Sequence, residues 1–363
     1  MDNDLKYWNA INKIDQIGPA RFKRLYNYFA SMEEAWQAIP SQLREAGIEE
    51  NVIEIFIEQR GKIDPDQELE KVKNEHVNLI TIKDEKYPKL LKEIYDPPAL
   101  LYIRGQFAKQ DEFAVAIVGT RKVSNYGKQV TPQIAQDLAG AKVTIVSGMA
   151  QGVDSLAHEA TLASGGRTIA VLGGGIDQKS IYPPSNRKLA QEIIESGAVI
   201  SEYPITTEPL AQHFPVRNRI ISGLTLGTLV IEAGEGSGAL ITARSSLEQN
   251  RQVFAIPGSV FSENSLGPNN LIKMGAKLIT SSQDILDELN LNLAIEYVKA
   301  QKIIPDTKEE ALLLEHLSRE PIHIDRLVEQ TGLDTAKASS TLTMMEMKGK
   351  VKNLGAMMYV VTR

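Results

Sequence analysis

The chain has no cysteine among its 363 residues. Disulfides, thiolate nucleophiles and zinc–cysteine sites are therefore excluded, and a reducing compartment is permitted. Histidine is scarce as well, at 5 residues, so a histidine-rich metal centre has little to draw on. No run of about 18 apolar residues occurs, and no membrane-spanning helix is expected. The start, Met1-Asp2-Asn3-Asp4-Leu5, is acidic and polar and carries no apolar signal core. No Gly-Lys-Ser/Thr triplet closes a glycine loop, so ATP hydrolysis has no support.

What remains is ordinary for a water-soluble globular protein: 42% hydrophobic and 24% charged residues. The length suggests two or three domains. A net charge of −6 argues against a protein that coats nucleic acid with its whole surface. It leaves room for a local basic groove, because phosphate affinity depends on the local field. Residues 1–75 carry 10 Lys and Arg against 15 Asp and Glu, nearly the whole acidic excess, so arginines in the middle of the chain are not outweighed.

Three zones separate by pattern. Residues 1–75 read as short helices, with Ile11, Ile14, Phe22, Leu25 and Phe29 at helical spacing and a break at Ile17-Gly18-Pro19-Ala20. This zone resembles a SAM-like or helix-hairpin-helix module. Residues 76–290 alternate apolar runs, such as Ala114–Val118, Thr168–Leu172 and Val253–Ile256, with helical stretches. Continuous apolar strands between helices imply a mostly parallel, Rossmann-like α/β sheet covered on both faces. Runs near Val77–Ile82 and Leu100–Ile103 extend it at one edge. Residues 291–307 read as a linker. Residues 308–363 give three helices and a small hairpin, resembling a winged-helix module.

Segment Phe214–Gly223 sets Arg217, Asn218 and Arg219 in the early turns of a helix primed by Pro215. Arginine is unfavourable at that already positive end unless an anion is bound there, most plausibly phosphate. The competing reading is a solvated helix start whose arginines pair with carboxylates. Four strand ends carry related signals. Val115–Arg121 ends a buried strand in Gly119, Thr120 and Arg121, which offer close backbone approach, a hydroxyl and a planar fork of donors. It is not Gly-x-Gly-x-x-Gly, so no nicotinamide dinucleotide is indicated. Val146–Asp154 adds Ser147 and Gly148, with Asp154 and His158 four apart on one helical face and expected to brace loops. Gly173-Gly174-Gly175 precedes Lys179 and Tyr182-Pro183. Ile231–Arg244 passes through Gly234, Gly236 and Gly238 into a helix carrying Thr242 and Arg244, a backbone arrangement that cradles anions. Together these features describe a polyphosphate-binding surface with no general base, nucleophile or metal cluster. We expect no catalysis, no cofactor and no metal.

The blocks Val118–Arg121, Ser147–Asp154, Ala170–Asp177 with Tyr182-Pro183, Ser201–Pro204, Phe214–Gly223, Glu232–Ala243 and Ala255–Gly258 run in the order of the DNA-processing protein A family (DprA, also called Smf). The chain closely resembles that family over nearly its whole length. The resemblance implies a bacterial cytoplasmic protein of natural transformation and DNA recombination. Such a protein binds and protects incoming single-stranded DNA, helps load RecA recombinase and acts as a homodimer. Carried onto matching positions, it implies that Arg121 clamps a phosphate and that Gly119, Thr120, Ser147 and Gly148 line the same pocket. It also implies that Phe214 stacks a base, while Arg217, Asn218 and Arg219 divide between phosphate and pairing with residues such as Glu232 or Glu202. Lys179 is the basic residue nearest upstream of the Tyr-Pro block. The alternative is a nucleotide phosphoribohydrolase on a related sheet, whose Pro-Gly-Gly-x-Gly-Thr-x-x-Glu loop is not found at Gly234–Thr242.

Overall fold

The computed structural model describes residues 2–291, 305–318, 321–348 and 350–361. Residues 292–304 of the linker expected at 291–307 fall outside them, as do Glu320 and Gly349. The chain divides into two compact units, Met1–Ile285 and Leu286–Arg363.

The first unit opens with six short helices: α1 (Asp2–Asn12), α2 (Pro19–Tyr28), α3 (Met32–Gln37), α4 (Pro40–Glu45), α5 (Glu50–Arg60) and α6 (Pro65–Asn74). Prolines 19, 40 and 65 each start a helix, where the missing N–H leaves no bond unmade. Trp8 stacks on Phe22 with ring centroids 5.3 Å apart, which closes α1 onto α2. The helices share a core with the sheet that follows. Asn9 accepts a 2.7 Å hydrogen bond from the fully buried Tyr102 hydroxyl, and Asn12 donates to the Glu202 carbonyl at 2.9 Å.

The sheet holds β1 (Asn78–Thr81), β2 (Leu100–Gly105), β3 (Ala114–Val118), β4 (Thr144–Ser147), β5 (Thr168–Val171), β6 (Ala198–Ser201), β7 (Gly227–Val230), β8 (Gln252–Ala255) and β9 (Lys277–Leu278). Its order is β1-β2-β6-β5-β4-β3-β7-β8-β9. Strands from β6 to β9 run parallel, while β1 and β2 form an antiparallel extension at one edge. Every residue of β3 is at most 3% exposed, the reason that its apolar run is continuous rather than alternating. Between the strands lie α7 (Lys89–Lys92), α8 (Asn125–Gly140), α9 (Val153–Ala163), α10 (Arg187–Ser196), α11 (His213–Gly223), α12 (Gly238–Glu248) and α13 (Leu266–Lys273). From β3 the chain builds outward through β4, β5 and β6, then returns through α11 to place β7 on the other side of β3. Right-handed crossovers therefore put α8, α9 and α10 on one face and α11 and α12 on the opposite one.

The second unit contains α14 (Lys308–His316), α15 (Ile324–Thr331) and α16 (Thr335–Met347) with a three-stranded sheet. Leu313, Leu327, Leu342 and Met345 form its core. Its order of helices and hairpin is that of a winged helix. Lys348 and Lys350 both pair with the buried Glu310, and Lys337 pairs with Glu309.

Candidate nucleic-acid interface

In an open α/β sheet the chain leaves β3 and β7 in opposite directions, and a crevice opens beyond their carboxyl ends. Here that crevice is a groove of about 500 Å³. Its floor is the turn after β3, its far wall is the loop from Gly234 to Gly238 entering α12, and its near wall is the first turns of α11. Gly119 is required at the floor, because a Cβ there would lie 2.5 Å from Val153 Cγ2. Gly152 has φ +93°, and a Cβ on it would collide with the Thr120 carbonyl. The two glycines thus let the β3 and β4 turns nest. Thr120 N–H donates to the Glu232 carbonyl at 2.7 Å, and the Glu232 carboxylate takes the Ser124 N–H at 3.0 Å, tying the floor to β7.

The sequence candidates separate into two sets. Gly119, Thr120, Arg121, Phe214, Arg217, Asn218, Gly238 and Thr242 all line the groove. Arg121 is exposed, and its guanidinium carbon lies 5.6 Å from the Phe214 ring centroid. Asn218 is committed to structure, donating to the Gly238 carbonyl at 3.0 Å and so fastening α11 to α12. Arg217 lines the groove from beneath. It is 4% exposed, and its Nη1 donates to the carbonyls of Gly148 (2.9 Å) and Val171. Burial lowers its pKa to about 10 against the attraction of Asp154, and the charge of Arg121 pushes the same way. Arg217 therefore stays charged and supplies positive potential to the floor rather than a free fork.

Five candidates lie off the groove wall. Ser147 is fully buried, and its hydroxyl donates to the Ile117 carbonyl at 2.6 Å. Gly148 sits where a Cβ would meet both Arg217 and Asp154, so it is a packing glycine. Arg219 faces away from the groove: Nε bonds Asp96 at 2.8 Å and Nη2 bonds Glu202 at 2.6 Å. Burial opposes its charge, yet the two carboxylates outweigh that and push its pKa up. The carboxylate-pairing reading holds for this arginine, with Glu202 but not Glu232 as a partner. Arg244 sits on the outer face of α12, paired with Glu248 one turn on at 3.0 Å. Lys179 is exposed on the loop after β5 and does not reach the groove wall.

Asp154 braces a loop as expected, whereas His158 holds the first residue of β5. Asp154 Oδ2 accepts the Gly148 N–H at 3.1 Å and the Ala150 N–H at 3.3 Å. His158 is fully buried with Nδ1 2.6 Å from Thr168 Oγ1, and burial lowers its pKa to about 3. An unfolded chain protonates this histidine near pH 6.5 and the native one does not, so its contribution is complete above 6.5 and declines as pH falls toward 3. Between pH 7 and 5 the loss expected from this group is about 2 kcal/mol. Urea unfolding at both pH values should show a smaller loss in His158→Gln, and an equal loss in both proteins would refute the assignment.

Two groove residues escaped sequence reasoning. Lys122 follows Arg121 directly, and adjacency to a clamp arginine was the available signal. Asn264 arrives from a distant loop and donates to the Lys122 carbonyl at 3.0 Å, which nothing local in the sequence announces.

A family model described as DNA recombination-mediator protein A matches residues 78–290, the segment that builds this sheet and groove. The chain belongs to that family. A second model, the DprA winged helix domain, matches residues 298–357. Among relatives, Protein Smf of Synechocystis sp. is 36% identical over 99% of both chains. The DNA processing protein DprA of Bacillus subtilis is 45% identical over 59% of this chain and 71% of its own. Among solved structures, DprA from Streptococcus pneumoniae superposes with a TM-score of 0.69 and 38% identity, covering 78% of this chain and 97% of that one. DprA from Helicobacter pylori, whose structure concerns its single-stranded DNA binding mode, superposes at 0.53 with 33% identity, over 59% and 97%. Membership in the recombination-mediator family thus rests on both units, and the groove lies inside the matched region. Among the described residues no helix is long and apolar enough to cross a membrane.

Proposed function

We propose that this member of the DNA recombination-mediator family binds single-stranded DNA in the groove between β3 and β7, protects it, and hands it to a RecA-type recombinase during natural transformation and recombination. The observation that carries the reading is the groove itself. An exposed Arg121 stands over a floor charged by buried Arg217, opposite the glycine-rich entry to α12. That combination suits a chain of phosphates. The single-stranded DNA binding of the Helicobacter pylori relative supports it. The protein works by binding alone. Asp154, the carboxylate that lines the groove, is engaged by backbone N–H groups and is not placed as a free base. It acts as a homodimer in the cytoplasm, where its DNA and recombinase meet. Support for self-association comes from Val260, Phe261, Met274 and Leu278, apolar residues left exposed around the β9 edge of the sheet.

Fluorescence anisotropy with one oligonucleotide as single strand and as duplex tests the reading. The single strand should bind tighter with little sequence preference. Its log affinity should fall linearly with log salt, by roughly 0.7 per phosphate contacted. Equal preference for the duplex, or no binding at physiological salt, would refute it.

A further inference from the structure

We propose that the winged helix docks an acidic, apolar peptide segment of another protein on the face formed by α16 and the wing, the face with which a nucleic-acid reader of this shape would hold DNA. The inference concerns the second unit by itself and does not depend on the groove.

In a helix-turn-helix the helix after the turn enters the major groove, and Arg, Lys, Asn or Gln on it read the base edges. Helix α16 has no Arg, Asn or Gln. Its single lysine, Lys337, is paired with Glu309 at 2.8 Å. Lys348 and Lys350, just past the helix, are drawn back onto Asp306 and Glu310. Of the lysines on the helix and wing, Lys352 alone has no carboxylate partner among the described residues. Phosphate affinity grows with the number of cations free to meet the backbone, so this face is poorly equipped for DNA.

What it offers is apolar surface. Met344 and Met347 are 51% and 79% exposed on α16, and Leu354 and Met357 are 52% and 59% exposed at the wing turn. Between Lys337 and Glu346 the exposed residues of α16 are Ser340, Thr343 and Met344, none of them charged. Wing and helix are fastened together, since Glu346 accepts the Asn353 N–H at 2.9 Å and the Met345 carbonyl accepts the Lys350 N–H at 2.8 Å. The wing turn is held as well. Met358 N–H donates to the Gly355 carbonyl and Ile324 N–H to the Met357 carbonyl, each at 3.0 Å. Ala356 and Met357 both take left-handed φ, 49° and 56°, a conformation that residues with side chains keep only where their surroundings fix it. The backbone under the patch is thus preset, while methionine side chains can adapt to an incoming surface.

Charge selects the partner. Residues 335–358 hold 4 lysines and 1 glutamate. Lys337 shares a helical face with Ser340, Met344 and Met347, and Lys352 lies two residues before Leu354. A segment whose large apolar side chains are flanked by carboxylates complements both features. Four partly exposed side chains supply less than the roughly 800 Å² per partner that a stable dimer buries, so a short segment fits better than a second copy.

The test uses the full chain and fluorescence anisotropy. The probes are a short labelled peptide of Glu and Asp with interspersed leucines, the same peptide with lysine at every acidic position, and a labelled duplex oligonucleotide. The acidic peptide should bind and the lysine peptide should not. Met344→Gln/Met347→Gln adds no charge and should weaken the acidic peptide by roughly 10-fold or more, with duplex affinity, particle mass and melting temperature as in the parent. Should that pair melt early, Met347→Ala repeats the measurement on the most exposed side chain alone. Lys352→Gln should cost roughly 2- to 5-fold, an effect that salt removes. Arg121→Ala should leave peptide binding intact, which separates this face from the groove. The proposal is overturned if the acidic peptide fails to bind the parent, if the lysine peptide binds equally, or if the methionine variants keep full peptide affinity. A fall in duplex affinity in those variants would make the face a nucleic-acid reader, and a fall in particle mass would make a second copy its occupant; either result sinks the assignment.

Discussion

Arg219→Ala is expected to lower the free energy of unfolding by about 3–5 kcal/mol, the cost of stranding one partner of a buried ion pair. The Arg219 side chain is 9% exposed and that of Glu202 is 11% exposed. Burial already raises the Glu202 pKa, with Arg219 as the main opposing influence. Removing the guanidinium takes that opposition away, and the carboxyl will take up a proton at higher pH than before. Asp96, at 44% exposure, stays solvated and loses little. Two features separate this from a generic truncation. The double variant Arg219→Ala/Glu202→Ala should lose less than the sum of the single losses, because the stranded charge is gone. Arg219→Lys should recover only part, since an ammonium cannot bridge two carboxylates with a planar fork. Urea unfolding measures all three. A single-variant loss within about 0.5 kcal/mol of zero, the range of ordinary surface changes, would show that the pair does not hold α11 in place.

The second large effect runs the other way, on affinity without stability. Arg121→Ala should weaken single-strand binding by roughly 10- to 100-fold, as expected for loss of a hydrogen bond to a charged group. Its unfolding free energy should be unaltered. Arg121 is exposed, has no carboxylate partner among the described residues and meets the Phe214 ring at the groove surface, so the fold depends little on it. The salt dependence should also flatten by about 0.7 in slope, the share of one phosphate. Anisotropy titrations at three salt concentrations, with thermal melts alongside, decide it. Unchanged affinity with a lowered melting temperature would make Arg121 a structural residue and dismantle the groove. Arg217 should differ from Arg121 on both counts, since its Nη1 already serves two carbonyls.

The parallel strands were readable because each is buried on both faces and therefore apolar throughout, as in Ala114–Val118. The break at Gly18-Pro19 was readable because proline at a helix start has a local cause. The anion signals at Gly119–Arg121 and Gly234–Gly238 were also local, and both reach the groove. What the sequence could not divide was the triplet Arg217-Asn218-Arg219. Successive helical residues point about 100° apart. One therefore lies under the groove, one binds the neighbouring helix and one faces the edge of the sheet. Which is which depends on Asp96, 123 residues before Arg219 and without any local signal. Lys179 and Arg244 looked equivalent to Arg121 in composition. They differ only in which way a loop or a helix face turns.

The groove draws on residues within five separate stretches: the turn after β3, the turn after β4, the groove side of α11, the loop entering α12, and Asn264. No two of these stretches are neighbours in the chain, and loop closure must bring all of them in before any contact rewards it. The site consequently exists only when all five stretches are in place, and a partly folded chain lacks some of its walls. The converse follows by mass action: a strand that touches every wall binds only the complete fold, and its free energy opposes global unfolding rather than the opening of one loop. On the proposed reading, each molecule engages DNA only once its sheet is complete.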